Sequence, residues 1–100
     1  MRTTDNYKVY LLDDDIEDLE LLSEAFREAA DAAEVHCFTS CNLLLQQLYL
    51  IEKNDLPDMI VLDHYMPLMD GGDVVKAIQS QRRFNDISLV VYSTSLQEKL

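Results

Sequence analysis

Three groups of side chains in this sequence could support chemistry: the run Asp13-Asp14-Asp15, the single Asp63, and the hydroxyl pair Ser93-Thr94. Carboxylates bind hard cations such as Mg²⁺, and a carboxylate can also act as the nucleophile that forms an aspartyl phosphate. Two carboxylates about 5 Å apart repel by roughly 3 kcal/mol at an effective dielectric constant near 20, so a cluster needs a cation or a raised pKa. These residue types therefore indicate metal-assisted chemistry at a carboxylate, provided that the fold brings them together.

Each of the three groups directly follows a short apolar run. Residues 8–12, 59–62 and 88–92 are too short for helices and rich in strand-forming residues, and residues 35–38 form a further run of this kind. We therefore predict four strands.

Helices are predicted between the strands. Apolar residues recur at helical spacing from residue 16 to residue 33, and Asp15 is placed to cap that helix. Thr39 and Ser40 precede a Leu-rich helix over about 41–52, Asp73 can cap a helix that ends at residue 79, and a last helix begins near residue 96. The stripe of the first helix comprises Ile16, Leu19, Leu22, Phe26, Ala29, Ala30 and Ala33.

Strand and helix thus alternate four times, and most of the strands are apolar throughout. Such strands are typical of a parallel sheet that is covered by helices on both faces, which is an α/β fold. Ligands of open parallel sheets bind beyond the carboxyl ends of the strands. The acidic run, Asp63 and the hydroxyl pair are therefore expected at one common edge.

Residues 11–15 (LLDDD), 57–71 (PDMIVLDHYMPLMDG) and 90–95 (VVYSTS) together resemble the receiver domain of two-component response regulators. The three blocks occur in the order of that family and span most of the chain. The resemblance implies a flavodoxin-like, doubly wound parallel sheet with strand order 2-1-3-4-5. It also implies that the chain takes a phosphoryl group from the phosphohistidine of a sensor histidine kinase or a histidine phosphotransfer protein.

The resemblance assigns roles to individual residues around a Mg²⁺ ion. Asp63 matches the phosphoacceptor, and it would also contact the metal. Asp14 matches a direct metal ligand and Asp13 a ligand that acts largely through water, while Tyr65 would supply a backbone carbonyl. An alternative for residues 13–15 is a capping and solvated run, and for Asp15 the N-cap role is sufficient.

The resemblance also covers the hydroxyl pair and the loop beside the acceptor. Ser93 matches the switch hydroxyl that turns toward the phosphoryl oxygens, and Thr94 follows it with its backbone N–H nearby. Pro67 and Gly71 would shape the loop. The alternative is that Ser93 and Thr94 are ordinary caps of the next helix.

Two other functions compete with phosphoryl acceptance. One is a receiver-like module that binds proteins without being phosphorylated. The other is a calcium-binding acidic domain, although the spacing of the acids fits no EF-hand loop. A metal site at His36, Cys37 and Cys41 is one ligand short of the usual four.

Composition limits the partners of the protein. The chain has 100 residues and a net charge of -11, with 8 Lys and Arg against 19 Asp and Glu. A phosphate backbone requires a basic surface, so nucleic acid is excluded as a direct partner, and an anionic membrane is disfavoured. Without a signal peptide core or an apolar span, a cytoplasmic location is expected.

Receiver domains continue into a fifth strand, which ends in a lysine, and a fifth helix, whereas this sequence stops at Leu100 within the expected fourth helix. We therefore interpret residues 1–100 as one receiver domain that is incomplete at its C-terminus. The strand over 88–92 would then be an apolar sheet edge, which can recruit other chains, including a second copy as a homodimer.

Overall fold

A computed structural model describes residues 7–29, 33–63, 66 and 71–92 of the chain. Within these residues, four parallel strands form one sheet with the order β2-β1-β3-β4. The α/β flavodoxin-like fold predicted from the sequence is confirmed over this part of the chain. The elements are β1 (Lys8–Leu12), α1 (Ile16–Ala29), β2 (Glu34–Phe38), α2 (Cys41–Leu50), β3 (Met59–Asp63), α3 (Gly71–Gln79) and β4 (Ser88–Tyr92), with short 3-10 turns at Lys53–Asp55 and Arg82–Phe84.

The side chains of β1 and β3 alternate between two apolar layers on opposite faces of the sheet. On one face, residues such as Leu12 and Leu62 pack with α2 and α3 in the larger cluster. On the other face, Leu11 and Val61 pack against Leu19 of α1 in the smaller cluster. Both central strands are therefore covered by helices on each side, as their continuous apolar sequences predict.

The edge strand β2 differs from the expectation that the strands are buried on both faces, whereas β4 lies at the sheet edge as expected. Residues of β2 are half-buried or exposed, and in β4 the side chains of Val90 and Val91 are 41% and 43% exposed. The sheet position accounts for this difference, because an edge strand has a neighbouring strand on one side only. Val90 and Val91 point to opposite faces, and both faces of β4 are therefore partly open.

The helices differ from the predictions in the exposure of one residue and in the boundaries of α2 and α3. Ile16 belongs to the predicted apolar stripe but is 63% exposed, because it is the first residue of α1 and lies at the end of the sheet. Helix α2 ends at Leu50 instead of residue 52, since Ile51 is extended and its N–H bonds to the Gln47 carbonyl. Helix α3 already begins at Gly71, so Asp73 lies inside its first turn, where the helix dipole favours an anion.

Other local predictions are confirmed. The Ser40 hydroxyl accepts a hydrogen bond from the Leu43 N–H at the start of α2. Met66 is buried in the larger apolar cluster. The helix predicted from residue 96 lies outside the described residues. In the described part of the chain, no helix combines the length and apolar character that crossing a membrane requires.

Arg83 joins the turn before β4 to the C-terminal end of α2. Its Nη1 donates to the Leu48 carbonyl at 2.8 Å and its Nη2 donates to the Ile51 carbonyl at 2.6 Å. Carbonyls at a helix C-terminus lack partners within the helix, so this guanidinium satisfies two groups at or just beyond the end of α2. It thereby fixes α2 against the segment that leads into β4.

We predict that Arg83→Met lowers the free energy of unfolding by about 1 to 3 kcal/mol, because hydrogen bonds from a charged donor are lost. Urea unfolding measures the difference. Arg82→Met is the matched control, since it removes the same charge from an exposed neighbouring position and should change stability by less than about 0.5 kcal/mol. Equal effects of the two substitutions would contradict this role of Arg83.

Candidate functional site

Parallel pairing brings the predicted acidic residues together at the carboxyl edge of the sheet. Leu12 of β1 pairs with Leu62 of β3, so the residues that follow them, Asp13 and Asp63, are neighbours across the two central strands. Asp14 follows Asp13 directly. One carboxylate oxygen from each of the three aspartates lies within 4.8 Å of the others. The convergence expected from the strand ends is therefore present in the structure.

Two of the three aspartates of the cluster are buried. Asp13 is fully buried and Asp63 is 3% exposed, whereas Asp14 is exposed to solvent. The backbone N–H of Asp13 donates to the Phe38 carbonyl at 3.1 Å, which extends the pairing of β1 and β2 to the site. Asp13 is thus held by the sheet, and the more accessible carboxylate of the pair belongs to Asp14.

The acidic cluster changes the pKa of its exposed carboxyl, which belongs to Asp14. Partial burial raises the pKa of the Asp14 carboxyl, and so do a hydrogen bond with Asp13 and the negative charges of Asp13 and Asp63. A raised pKa of a carboxyl means that its ionised form is unfavourable in the folded protein. A cation placed among the three carboxylates would relieve this strain.

Asp15 caps α1 and is not one of the three clustered aspartates. Its Oδ1 accepts a hydrogen bond from the Glu17 N–H at 2.9 Å, and its carbonyl accepts one from the Leu19 N–H. The N-cap interpretation made from the sequence is therefore correct. The positive end of the α1 dipole consequently lies immediately after the acidic pair, where it favours negative charge.

Tyr92 belongs to the site, although the sequence pattern did not predict a role for it. Its hydroxyl donates a hydrogen bond to Asp13 Oδ2 at 2.5 Å. Burial raises the pKa of the Tyr92 phenol well above its usual range, and the hydrogen bond to Asp13 together with the charges of Asp13 and Asp63 raises it further. The phenol therefore stays neutral and remains a donor. The sequence did contain an indication that Tyr92 lies near the site, because Tyr92 directly precedes the predicted hydroxyl residue Ser93.

Several residues with predicted roles lie outside the described part of the chain. These are the carbonyl ligand Tyr65, the loop residue Pro67, and the hydroxyl residues Ser93 and Thr94. Gly71 is described and is buried at the start of α3. Tyr92, the last residue of β4, pairs with Asp63. In the sequence, the hydroxyl pair begins directly after Tyr92.

The alternative metal site at His36, Cys37 and Cys41 shows no metal-binding arrangement among the described residues. His36 Nε2 lies 2.6 Å from Glu34 Oε2, and Cys37 and Cys41 are free cysteines. Burial raises the pKa of the Cys37 thiol, so the thiolate form that binds metals is disfavoured. In the described ranges the three aspartates are the group whose ligand atoms converge.

The donor set of the acidic cluster fits a magnesium ion. Mg²⁺ prefers oxygen ligands, uses one or two carboxylates directly, and retains several waters. One carboxylate of the cluster is exposed to solvent and two are buried, so a cation held by the cluster could keep water ligands on the exposed side. A hard divalent cation would also neutralise part of the negative charge.

Fold and site together define an α/β protein with an acidic pocket at the carboxyl edge of a parallel sheet. The sequence matches the response regulator receiver domain family over residues 9–100. The chain therefore belongs to the response regulator receiver domain family, which consists of signalling domains of two-component systems.

Solved structures agree with this assignment. The phosphorylated cyanobacterial phytochrome response regulator RcpA is 29% identical with a TM-score of 0.79, over 94% of this chain and 69% of that one. The bacteriophytochrome response regulator AtBRR is 23% identical with a TM-score of 0.77, over 96% and 72%. The chemotaxis response regulator CheY4 of Vibrio cholerae is 22% identical with a TM-score of 0.74, over 94% and 76%. The last two support the fold. No curated protein sequence matched the chain.

The repulsion within the cluster leads to a prediction for the metal-free protein. Asp14→Asn should raise the free energy of unfolding at pH 7 by up to about 1 kcal/mol, a Coulomb estimate that is discounted because Asp14 is exposed. The pKa of Asp14 is raised on folding, so between its usual and raised values the folded protein binds more protons than the unfolded chain. The stability of the wild type should therefore fall as pH rises through that window, and the variant should lack this fall.

Chemical unfolding with a chelator present, at neutral and mildly acidic pH, measures both effects. Asp86→Asn is the matched control, because it removes one negative charge from an exposed turn at the opposite end of the sheet. If Asp14→Asn destabilises the metal-free protein relative to this control, the three carboxylates do not repel one another as proposed.

Proposed function

We propose that this chain is a phosphoacceptor receiver domain in which Asp63 accepts a phosphoryl group in a Mg²⁺-dependent reaction. The observation that carries the proposal is the position of Asp63. Asp63 is a buried carboxylate at the end of a central strand, and one of its oxygens lies within 4.8 Å of carboxylate oxygens of Asp13 and Asp14. The chain is a member of the receiver family. The donor would be the phosphohistidine of a sensor histidine kinase or of a histidine phosphotransfer protein.

The chemistry assigned to Asp63 is nucleophilic. A carboxylate oxygen of Asp63 forms a bond to phosphorus while the bond between phosphorus and the donor imidazole breaks, which gives an aspartyl phosphate. Water later attacks the phosphorus, the bond between phosphorus and the Asp63 oxygen breaks, and inorganic phosphate leaves while the carboxylate is restored. Catalysis in such transfers depends mainly on positioning and on charge stabilisation.

The neighbouring residues would position the reacting groups. Asp14 and Asp63 would hold Mg²⁺ directly and Asp13 would act through water, with the Tyr65 carbonyl as a further ligand. The metal supplies positive charge, without which an anionic phosphoryl group would approach three carboxylates. Ser93, with Thr94 beside it, would donate to the phosphoryl oxygens, a role supported by the pairing of Asp63 with Tyr92.

The output of the domain would be a change in protein binding. Phosphorylation would rearrange the surface around α3 and the helix predicted after β4, which changes the affinity for a partner. Residues 1–100 would act together as one receiver domain in the cytoplasm. Mutual contact of two copies through the partly exposed β4 would be compatible with this output.

Asp63→Asn is expected to abolish phosphorylation, because an amide lacks the nucleophilic carboxylate. The protein is incubated with a small phosphodonor and Mg²⁺, and a phosphoryl adduct is sought by intact-protein mass spectrometry. Wild type and the exposed-site control Asp86→Asn should both carry the adduct, and a chelator should prevent it.

Two results would contradict the proposal in different ways. Undiminished labelling of Asp63→Asn would show that another residue accepts the phosphoryl group. A folded wild type that binds Mg²⁺ but never carries an adduct would instead indicate a receiver-like module that signals by protein contact alone.

A further inference from the structure

Tyr92 reaches across the sheet to a carboxylate that lies two strands away. In the strand order β2-β1-β3-β4, β3 separates β4 from β1. The Tyr92 hydroxyl nevertheless donates to Asp13 Oδ2 at the end of β1. Neighbouring strands lie about 4.8 Å apart, so the phenol ring must extend over the end of β3, where Asp63 pairs with Tyr92.

The alternation of side chains explains why this contact forms. Leu11 and Val61 lie on the α1 face of the sheet, and two residues further along each strand Asp13 and Asp63 project to that same face. The ring of Tyr92 packs against the same apolar cluster. The two carboxylates and the phenol are thus on one side of the sheet edge, beside the start of α1.

Both oxygens of the Asp13 carboxylate accept hydrogen bonds. Asp13 Oδ1 accepts from the Asp15 backbone N–H at 2.9 Å, and Oδ2 accepts from the Tyr92 hydroxyl. A carboxylate offers about four acceptor positions, so these two donors use only part of its acceptor capacity. Because Asp13 is fully buried, these two donors fix the direction in which the remaining positions point.

We infer that Tyr92 is a positioning residue of the metal site, which holds Asp13 in the orientation that receives the Mg²⁺ hydration shell. The inference rests on the proposed function and adds to it a residue that acts through Asp13. Hydrogen-bonded partners of metal-binding carboxylates commonly orient them in this way. The contact also joins the end of β1 to the residue that precedes Ser93, so the metal site and the end of β4 are physically connected.

Tyr92→Phe tests the inference, because it removes one oxygen atom and keeps the ring that packs against the α1 face. With Mg²⁺ alone as the probe, calorimetric titration of the full chain should show a dissociation constant about 10-fold higher than that of the wild type. Tyr10→Phe is the matched control. Tyr10 is also buried, but it packs on the opposite face and its hydroxyl contacts Gln47, so its removal should leave the Mg²⁺ dissociation constant unchanged.

A double-mutant cycle separates positioning from a general structural effect. Asp13→Ala removes the carboxylate through which Tyr92 acts, so Tyr92→Phe should weaken Mg²⁺ binding no further in the Asp13→Ala background. An equal additional loss in that background would overturn the inference. Circular dichroism establishes that each variant is folded.

The outcomes for Tyr92 and for the proposed function can be distinguished. If wild type and Tyr92→Phe bind Mg²⁺ equally well and both carry a phosphoryl adduct, the role of Tyr92 is wrong and the phosphoacceptor proposal stands. If the wild type binds Mg²⁺ and Tyr92→Phe binds it more weakly, but no adduct forms on either, the phosphoacceptor proposal is wrong and the positioning role stands. A folded wild type that binds no Mg²⁺ contradicts both.

Discussion

Parallel pairing of β1 with β3 is the constraint on which the rest of the structure depends. The register that pairs Leu12 with Leu62 makes both strands end at the same edge, and it places Asp13 beside Asp63. The apolar residues that hold the two strands together therefore also force negative charges into proximity. Burial of the strands favours the fold, while the carboxylates at their ends oppose it, and the second effect is smaller because it is confined to one edge.

Neutral hydrogen-bond donors make this concentration of charge tolerable. Asp13 receives one hydrogen bond from a backbone N–H and one from the phenol of Tyr92, and the N-terminus of α1 begins just beyond the acidic pair. None of these donors carries a full positive charge. These donors orient the Asp13 carboxylate, and the negative charge of the cluster would attract a divalent cation.

The two faces of the sheet differ: one carries the larger apolar cluster, and the other carries the side chains of the acidic site. On the α2 and α3 face, Leu12 and Leu62 lie in the larger apolar cluster, which provides most of the buried core. On the α1 face, the side chains at the strand ends are Asp13, Asp63 and Tyr92. The acidic residues thus lie on strands whose opposite face is closely packed, while β4 is partly exposed.

The sequence by itself determined the α/β fold, the parallel sheet and the acidic edge, because continuous apolar strands separated by amphipathic helices admit few other arrangements. It also determined the N-cap role of Asp15, since capping depends on local contacts. Only the tertiary structure decided that Ile16 is exposed and that the residues of β2 are half-buried or exposed. The role of Tyr92 likewise depends on strand order, because its partner Asp13 lies far away in the sequence and no local pattern encodes a contact across β3.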